Sequence, residues 1–217
     1  TITSPASVSK TVGQSHIFSA SPTTASDGGS LTYQWESATA ASPASYSSIT
    51  GATSINYTTP TLAIGDNGSL YRVVVTNAIN GTTTAATSSA ATLTVAKAPL
   101  SAPTAITAST VSGSATSLKI AFTNASSATS YTARIYLASD GTTLIATATS
   151  YTSNTAITGL SAGTAYKVTL TSVGDASYAD SSASALSGSI STLSAAAAAT
   201  ITSPASVSKT VGQSHIF

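Results

Sequence analysis

Short runs of β-branched and aromatic residues alternate with polar ones along most of the chain, and clusters of Gly, Asn, Asp and Ser separate the runs. In residues 31–35, LTYQW, the side chains of Leu31, Tyr33 and Trp35 fall on one face and those of Thr32 and Gln34 on the other. That is the period-two pattern of a sheet with one buried side. Residues 71–76, YRVVVT, place Tyr71, Val73 and Val75 together in the same way, and residues 93–95, 118–122, 131–137, 144–148 and 166–170 follow the same rule. No segment keeps a 3.6-residue apolar period for the 10–12 residues a helix needs. The pattern predicts an all-β chain of tandem antiparallel β-sandwiches, with turns at regular intervals. Asn80-Gly81 predicts a tight hairpin turn leading to the final strand of the first half. Asp27-Gly-Gly-Ser30 predicts a turn, because no Lys comes after it and no helix begins there to cradle a phosphate.

Two stretches interrupt the strands. Residues 97–102 lie in the proline-containing sequence AKAPLSAP, which separates two unlike halves, and residues 195–199 are five alanines. Five residues cannot nucleate a helix unaided, so they read as an extended junction. The expected organisation is therefore residues 1–96, a linker at 97–102, residues 103–194, and a junction at 195–199. Beyond the junction the chain repeats its own opening: residues 1–18, TITSPASVSKTVGQSHIF, recur letter for letter as residues 200–217, a shift of 199 residues. Exact recurrence over that length predicts a tandem array in which residues 200–217 open the next unit. Ile201, Val207, Val211, Ile216 and Phe217 would need cover from another body of sandwich. Either the same polypeptide supplies it further along, or a neighbouring subunit's sheet does so by strand addition.

Composition narrows the classes of function. Only 6% of residues are charged and the formal net charge is +1, so no basic stripe is present for nucleic acid. With 41% hydrophobic residues the chain is apolar enough to fold. No apolar run reaches the roughly 20 residues of a membrane span. The 217 residues contain no Cys, which removes disulfides and thiolate chemistry together. Few Lys and Arg for trypsin-like proteases, and many hydroxyl side chains, suit an extracellular or cell-surface setting.

The first half resembles bacterial immunoglobulin-like domains through LTYQW ending at Trp35, ITGATSINYT from Ile49, DNGSLYRVVVTN from Asp66, and AATLTV ending at Val95. The resemblance implies that Trp35 fills the core between two sheets and that the Tyr71 hydroxyl bonds back to the corner before it. The family's disulfide positions would fall near Phe18 or Ala20 and at Val73, so apolar packing must bridge the sheets there. The second half is similar to fibronectin type III domains through APTAITAS, SLKIAF, SYTARIYL and LSAGTAYKVTLTSV. Leu160, Gly163 and Tyr166 match that family's Leu, Gly and Tyr pattern, and Phe122 stands where the family usually has Trp. The structural core expected on these grounds is Phe18, Trp35, Tyr71, Val73, Phe122, Tyr131, Leu160 and Tyr166. Together the two resemblances are to bacterial tandem-repeat surface fibres and adhesins, which implies a non-catalytic stalk, shaft or filament with other copies of the repeat as partners. Surface glycans or a host or cell-surface ligand are further expected partners. The alternative is a carbohydrate-binding or spacer module of a large secreted enzyme acting on polysaccharide.

Chemistry-bearing residues are sparse. His16 and His215 are the same repeat position, with no Cys or carboxylate cluster around it, so no metal, cofactor or catalytic triad is expected. Asp27, Asp66 and Asp140 sit beside Gly or Asn, where turns account for them. Asp175 and Asp180 frame a loop, but two carboxylates are fewer than a calcium site wants. Lys119 and Lys167 alternate against apolar neighbours and face outward, away from any buried amide crosslink. Asn56, Asn67, Asn80 and Asn124 begin Asn-x-Ser/Thr triplets and are the candidate glycosylation positions, with Asn67 and Asn80 expected on exposed turns. Tyr46, Tyr57, Tyr151 and Tyr178 are the candidate exposed aromatics for a carbohydrate platform, although their spacing forms no stripe.

Overall fold

The computed structural model describes residues 2–21, 24–40 and 44–197. The expected second copy at 200–217 and the end of the alanine junction lie outside the described residues. The N-terminal half contains strands β1 (Val8–Thr11), β2 (Ile17–Ser19), β3 (Ser30–Ala38), β4 (Ser47–Ser48), β5 (Asn56–Thr58), β6 (Leu70–Ile79), β7 (Thr82–Thr87) and β8 (Ala91–Ala96). The only helical element among the described residues is a single 3₁₀ turn at Ile64–Asp66. Strands β1, β8, β6, β3 and β4 form one sheet in that order, with β7 also on β6, and β2 and β5 form the facing pair.

The predicted alternation sets the register. Trp35 lies opposite Val73 and Tyr33 opposite Val75 along the β3–β6 pair, so the apolar faces coincide. Trp35 and Val73 are fully buried, and Phe18, Tyr71, Leu93 and Val95 close the core around them. At the predicted hairpin, Ile79 pairs with Thr82 across Asn80 (φ 48°) and Gly81 (φ 75°), the left-handed pair that a two-residue hairpin turn requires. The turn leads into β7, and the expected final strand, β8, comes only after a shift at Ser88 that moves the pairing to the start of β6. β1 then lies parallel to β8, with Val8 opposite Leu93 and Ala96 opposite Thr11.

The C-terminal half contains β9 (Ala98–Pro99), β10 (Thr104–Thr110), β11 (Leu118–Thr123), β12 (Ser130–Leu137), β13 (Leu144–Ala148), β14 (Ala156–Ile157), β15 (Ala165–Val173), β16 (Tyr178–Ala179) and β17 (Ile190–Ser191). Strands β10, β11 and β14 make one sheet, and β13, β12, β15 and β17 the other. Between them sit Leu118, Ile120, Ala133, Ile135, Tyr166 and Val168, all at 0–1% exposure. Each half is therefore a β-sandwich with its own core, antiparallel except where β1 joins β8 and β9 joins β16.

The stretch expected to be a linker is bound to the second sandwich. β9 pairs in parallel with β16, Leu100 is buried, and the Leu100 N–H donates to the Ala179 carbonyl at 3.2 Å. The Ser172 hydroxyl adds a bond to the Ser101 carbonyl at 2.8 Å, and the Lys97 ammonium reaches the Asp175 carbonyl. Gly174 lets the loop before β16 fold back tightly, since a Cβ there would stand 2.1 Å from the Tyr178 carbonyl oxygen.

Candidate functional surface

In the first core Phe18 stacks on Tyr71 with centroids 4.8 Å apart, and Tyr57 stacks on the same Tyr71 ring at 5.8 Å. The Trp35 indole N–H donates to the Ser54 carbonyl at 3.0 Å, which satisfies its one polar atom inside the core. No hydrogen bond of the Tyr71 hydroxyl falls among the described residues. Burial, then Tyr57 and Asp66, raise its pKa. The corner before it is held instead by Asp66 and Asn67. The Asp66 carboxylate accepts from the Ala63 N–H at 2.8 Å, and the Asn67 side-chain amide oxygen accepts from the Val95 N–H at 2.9 Å. In the second sandwich the Tyr166 hydroxyl does bond back, accepting the Ser161 N–H at 3.0 Å, while Leu160 is buried and Gly163 has φ 61°. Tyr131 is buried, with Phe122 against its ring edge at 4.6 Å, but Phe122 itself is only half-buried.

Of the four candidate platform tyrosines, Tyr151 is a packing residue of the second core. It is 4% exposed, its N–H donates to the Tyr131 carbonyl at 2.8 Å, and its hydroxyl accepts the Ile120 N–H at 2.9 Å while donating to the Thr155 carbonyl. Tyr57 is half-buried in the first core, and Tyr46 lies under the Arg72 guanidinium, 3.7 Å from its ring centroid. Arg72 in turn pairs with Glu36 at 2.7 Å. Tyr178 sits half-buried in β16. These positions do not form one platform. Tyr151→Phe is expected to cost about 1–3 kcal/mol, because the buried Ile120 N–H loses its acceptor. Urea unfolding of the second sandwich measures this, and an unchanged midpoint would show that the hydroxyl is dispensable.

The carboxylates act as turn staples. Asp27 accepts from the Gly29 N–H at 3.0 Å and from the Asn77 amide at 2.8 and 3.1 Å, and those bonds lower its pKa. Asp175 accepts the Ser177 and Tyr178 N–H groups at 2.7 and 2.9 Å, and Asp180 accepts Gly174 N–H at 2.9 Å. Among the described residues no group of three or more His, Cys, Asp or Glu side chains could hold a metal ion. Asp140 accepts from the Thr143 hydroxyl and from the Thr143 and Thr142 N–H groups, which bring its pKa to about 2. Because the folded value lies below that of a free carboxylate, this contribution to stability is complete above about pH 4 and is lost as pH falls through about 2. A carboxyl-detected NMR titration should place Asp140 there, and a midpoint near 4 would refute the staple. His16 stands edge-on to Phe18 at 4.6 Å, and burial, then Lys10, lower its pKa.

A recurrent device, not anticipated from the strand pattern, satisfies the backbone at the sandwich edges. A Ser or Thr donates its own N–H to a carbonyl on the neighbouring strand while its hydroxyl oxygen accepts the N–H of that same partner residue. Ser181, Ser184 and Ser187 clamp Ser172, Leu170 and Val168 in this way, with hydroxyl contacts of 2.9–3.0 Å. Each hydroxyl then donates to the next carbonyl along, those of Ser182, Ala185 and Gly188. Ser88 clamps Val73, Thr59 clamps His16, and Thr192 clamps Thr164 by the same geometry. The spacing S-x-x-S-x-x-S from Ser181 is the sequence signal. It is hard to see in a chain where Ser and Thr occur everywhere.

Asn56, Asn67, Asn80 and Asn124 are all exposed. Lys119 and Lys167 are half-buried between fully buried neighbours, on the side away from the core. A shallow open groove lined by Ile2, Leu31, Val75, Asn77 and Thr84 offers hydroxyl and amide groups beside an apolar floor. No helix among the described residues is long and apolar enough to cross a membrane.

The geometry defines an all-β chain of two mostly antiparallel sandwiches whose polar side chains secure turns and edges. A family model described as a domain of unknown function (DUF8696) matches residues 1–97. No curated protein matches the sequence. Among solved structures, the chain is similar to the chicken CNTN1 FN1-FN3 domains, at 15% identity and a TM-score of 0.40 over 87% of this chain and 66% of that one. It is also similar to domains A168-A170 from titin, at 16% identity and a TM-score of 0.41 over 86% of this chain and 62% of that one. The chain thus spans less than two thirds of the length of either.

Proposed function

We propose that this chain is a non-catalytic structural repeat unit of an extracellular fibre, stalk or adhesin shaft, built from sandwich domains at residues 1–96 and 103–194. The observation that carries the reading is the exact recurrence of residues 1–18 at 200–217. Two sandwiches in tandem, with hydrophobic clusters that share no residue, support it. Long-range antiparallel pairing, as between β3 and β6, resists extension along the chain. A strand of 8–10 residues rises about 30 Å, so two domains end to end should advance roughly 60–90 Å per repeat. Electron microscopy of native material tests this. Rods with that axial period are the expected result, and compact particles would overturn it.

A further inference from the structure

The segment that recurs is held in the first sandwich by contacts that the second copy can reproduce. Thr3 bridges to Ser21, just beyond β2 of the smaller sheet, and from Ser4 up to the bend at Gly13 the chain runs along the β8 edge of the larger sheet. The Thr3 N–H donates to the Ser21 carbonyl at 3.2 Å, the Ser4 hydroxyl accepts the Ser89 N–H at 3.0 Å, and the Ser7 hydroxyl accepts the Thr92 N–H at 2.9 Å. β1 then pairs in parallel with β8, half-buried Val8 packs on the core, and the Val12 N–H donates to the Ala96 carbonyl at 3.0 Å. Beyond that point the chain reverses. Gly13 has φ 86°, and the Gln14 side chain accepts the Thr11 N–H at 3.0 Å.

Residues 202–211 have the sequence of residues 3–12 without a change, so Ser203, Ser206, Val207 and Val211 carry the same groups as Ser4, Ser7, Val8 and Val12. We infer that the β8 edge is a receptor for this segment from a second copy of the chain: residues 202–211 of one molecule displace residues 3–12 of another, with Gly13 as the hinge. The inference rests on the reading of the chain as a repeat unit of an assembly, and it names the contact by which units join. Because the exchanged contacts are chemically identical, binding differs from self-closure only through the tether. A short tether holds the native segment at an effective concentration of about 1 mM. At about 0.1 mM chain, roughly a tenth of receptors should therefore carry a foreign segment.

The absence of Cys makes the exchange easy to trap. Ser9 and Thr94 are paired Cα partners in β1 and β8, and both are exposed. Thr94→Cys with Ser208→Cys, in the full chain refolded at about 0.1 mM under mild oxidation, should give a ladder of disulfide-linked oligomers on a non-reducing gel in about a tenth of the chains. Adding Val8→Lys weakens the native segment alone, and a tenfold shift in the exchange constant would raise that share to about half. The pair Thr94→Cys with Ser203→Cys, out of register, should give far less product, and Ser9→Cys with Thr94→Cys should close within one chain and confirm that the sandwich folds. No ladder above the out-of-register control would overturn the exchange, as would a Thr94–Ser208 disulfide formed only within single chains. Rods by microscopy without a ladder would refute the exchange and leave the fibre reading standing, whereas a ladder without rods would refute the fibre reading alone.

Discussion

Replacing Trp35 by alanine is expected to destabilise the first sandwich by about 3–5 kcal/mol. The indole is fully buried against Phe18 and Tyr57, with ring centroids 6.2 Å away in each case, and it supplies the donor for the Ser54 carbonyl. With no Cys in the chain, this packing is what joins the two sheets where the resemblance would place a disulfide. Removal leaves a cavity and an unpaired carbonyl together. The second cluster shares no residue with the first, so its stability should change by no more than about 0.5 kcal/mol. Hydrogen exchange read by mass spectrometry separates the two effects. Peptides from β3 and β6 should lose protection while those from β12 and β15 keep it, and equal loss in both would show that the sandwiches unfold as one unit.

The other large effect is predicted where no aromatic residue is involved. Ser181→Ala, Ser184→Ala and Ser187→Ala in combination remove the acceptors for the Ser172, Leu170 and Val168 N–H groups, whose residues are fully buried. Each unsatisfied donor costs about 1–3 kcal/mol, so the triple variant should lose about 3–9 kcal/mol if the sites act independently. A loss of that size is comparable with the 5–15 kcal/mol typical of a domain's whole stability. Threonine at the same three positions keeps the hydroxyl oxygen and should recover most of the loss. Alanine at the exposed neighbours Ser182 and Ser189 should stay within about 0.5 kcal/mol of the parent. Urea unfolding of the second sandwich is the measurement, and a triple variant as stable as the parent would show that water replaces the clamps.

Much of the fold was legible because period-two alternation has one economical solution. Residues 31–35 and 71–76 must bury the Trp35 and Val73 faces, and only an antiparallel register that aligns those faces does so. The Asn-Gly turn was legible for a local reason, since both residues adopt positive φ with little strain. Tyr151 was not legible. Its burial depends on the Tyr131 carbonyl and Ile120 amide, which lie 20 and 31 residues away. Residues 97–102 read as a linker because Pro99 and Pro103 punctuate the stretch. Their attachment depends on a loop near Asp175 that no local pattern connects to them.

By itself the sequence determined the all-β class, the buried faces of the long strands and the recurrence of residues 1–18 at 200–217, because side-chain alternation and identity are read directly from the letters. Tertiary structure alone decided which hydroxyls secure an edge and which merely face water, and which of the tyrosines is buried. It also decided that Val8–Thr11 form an edge strand lying parallel to β8. Those outcomes depend on what another strand leaves unsatisfied. A backbone N–H inside a sandwich must find an acceptor, and only the assembled sheets show which donors lack one.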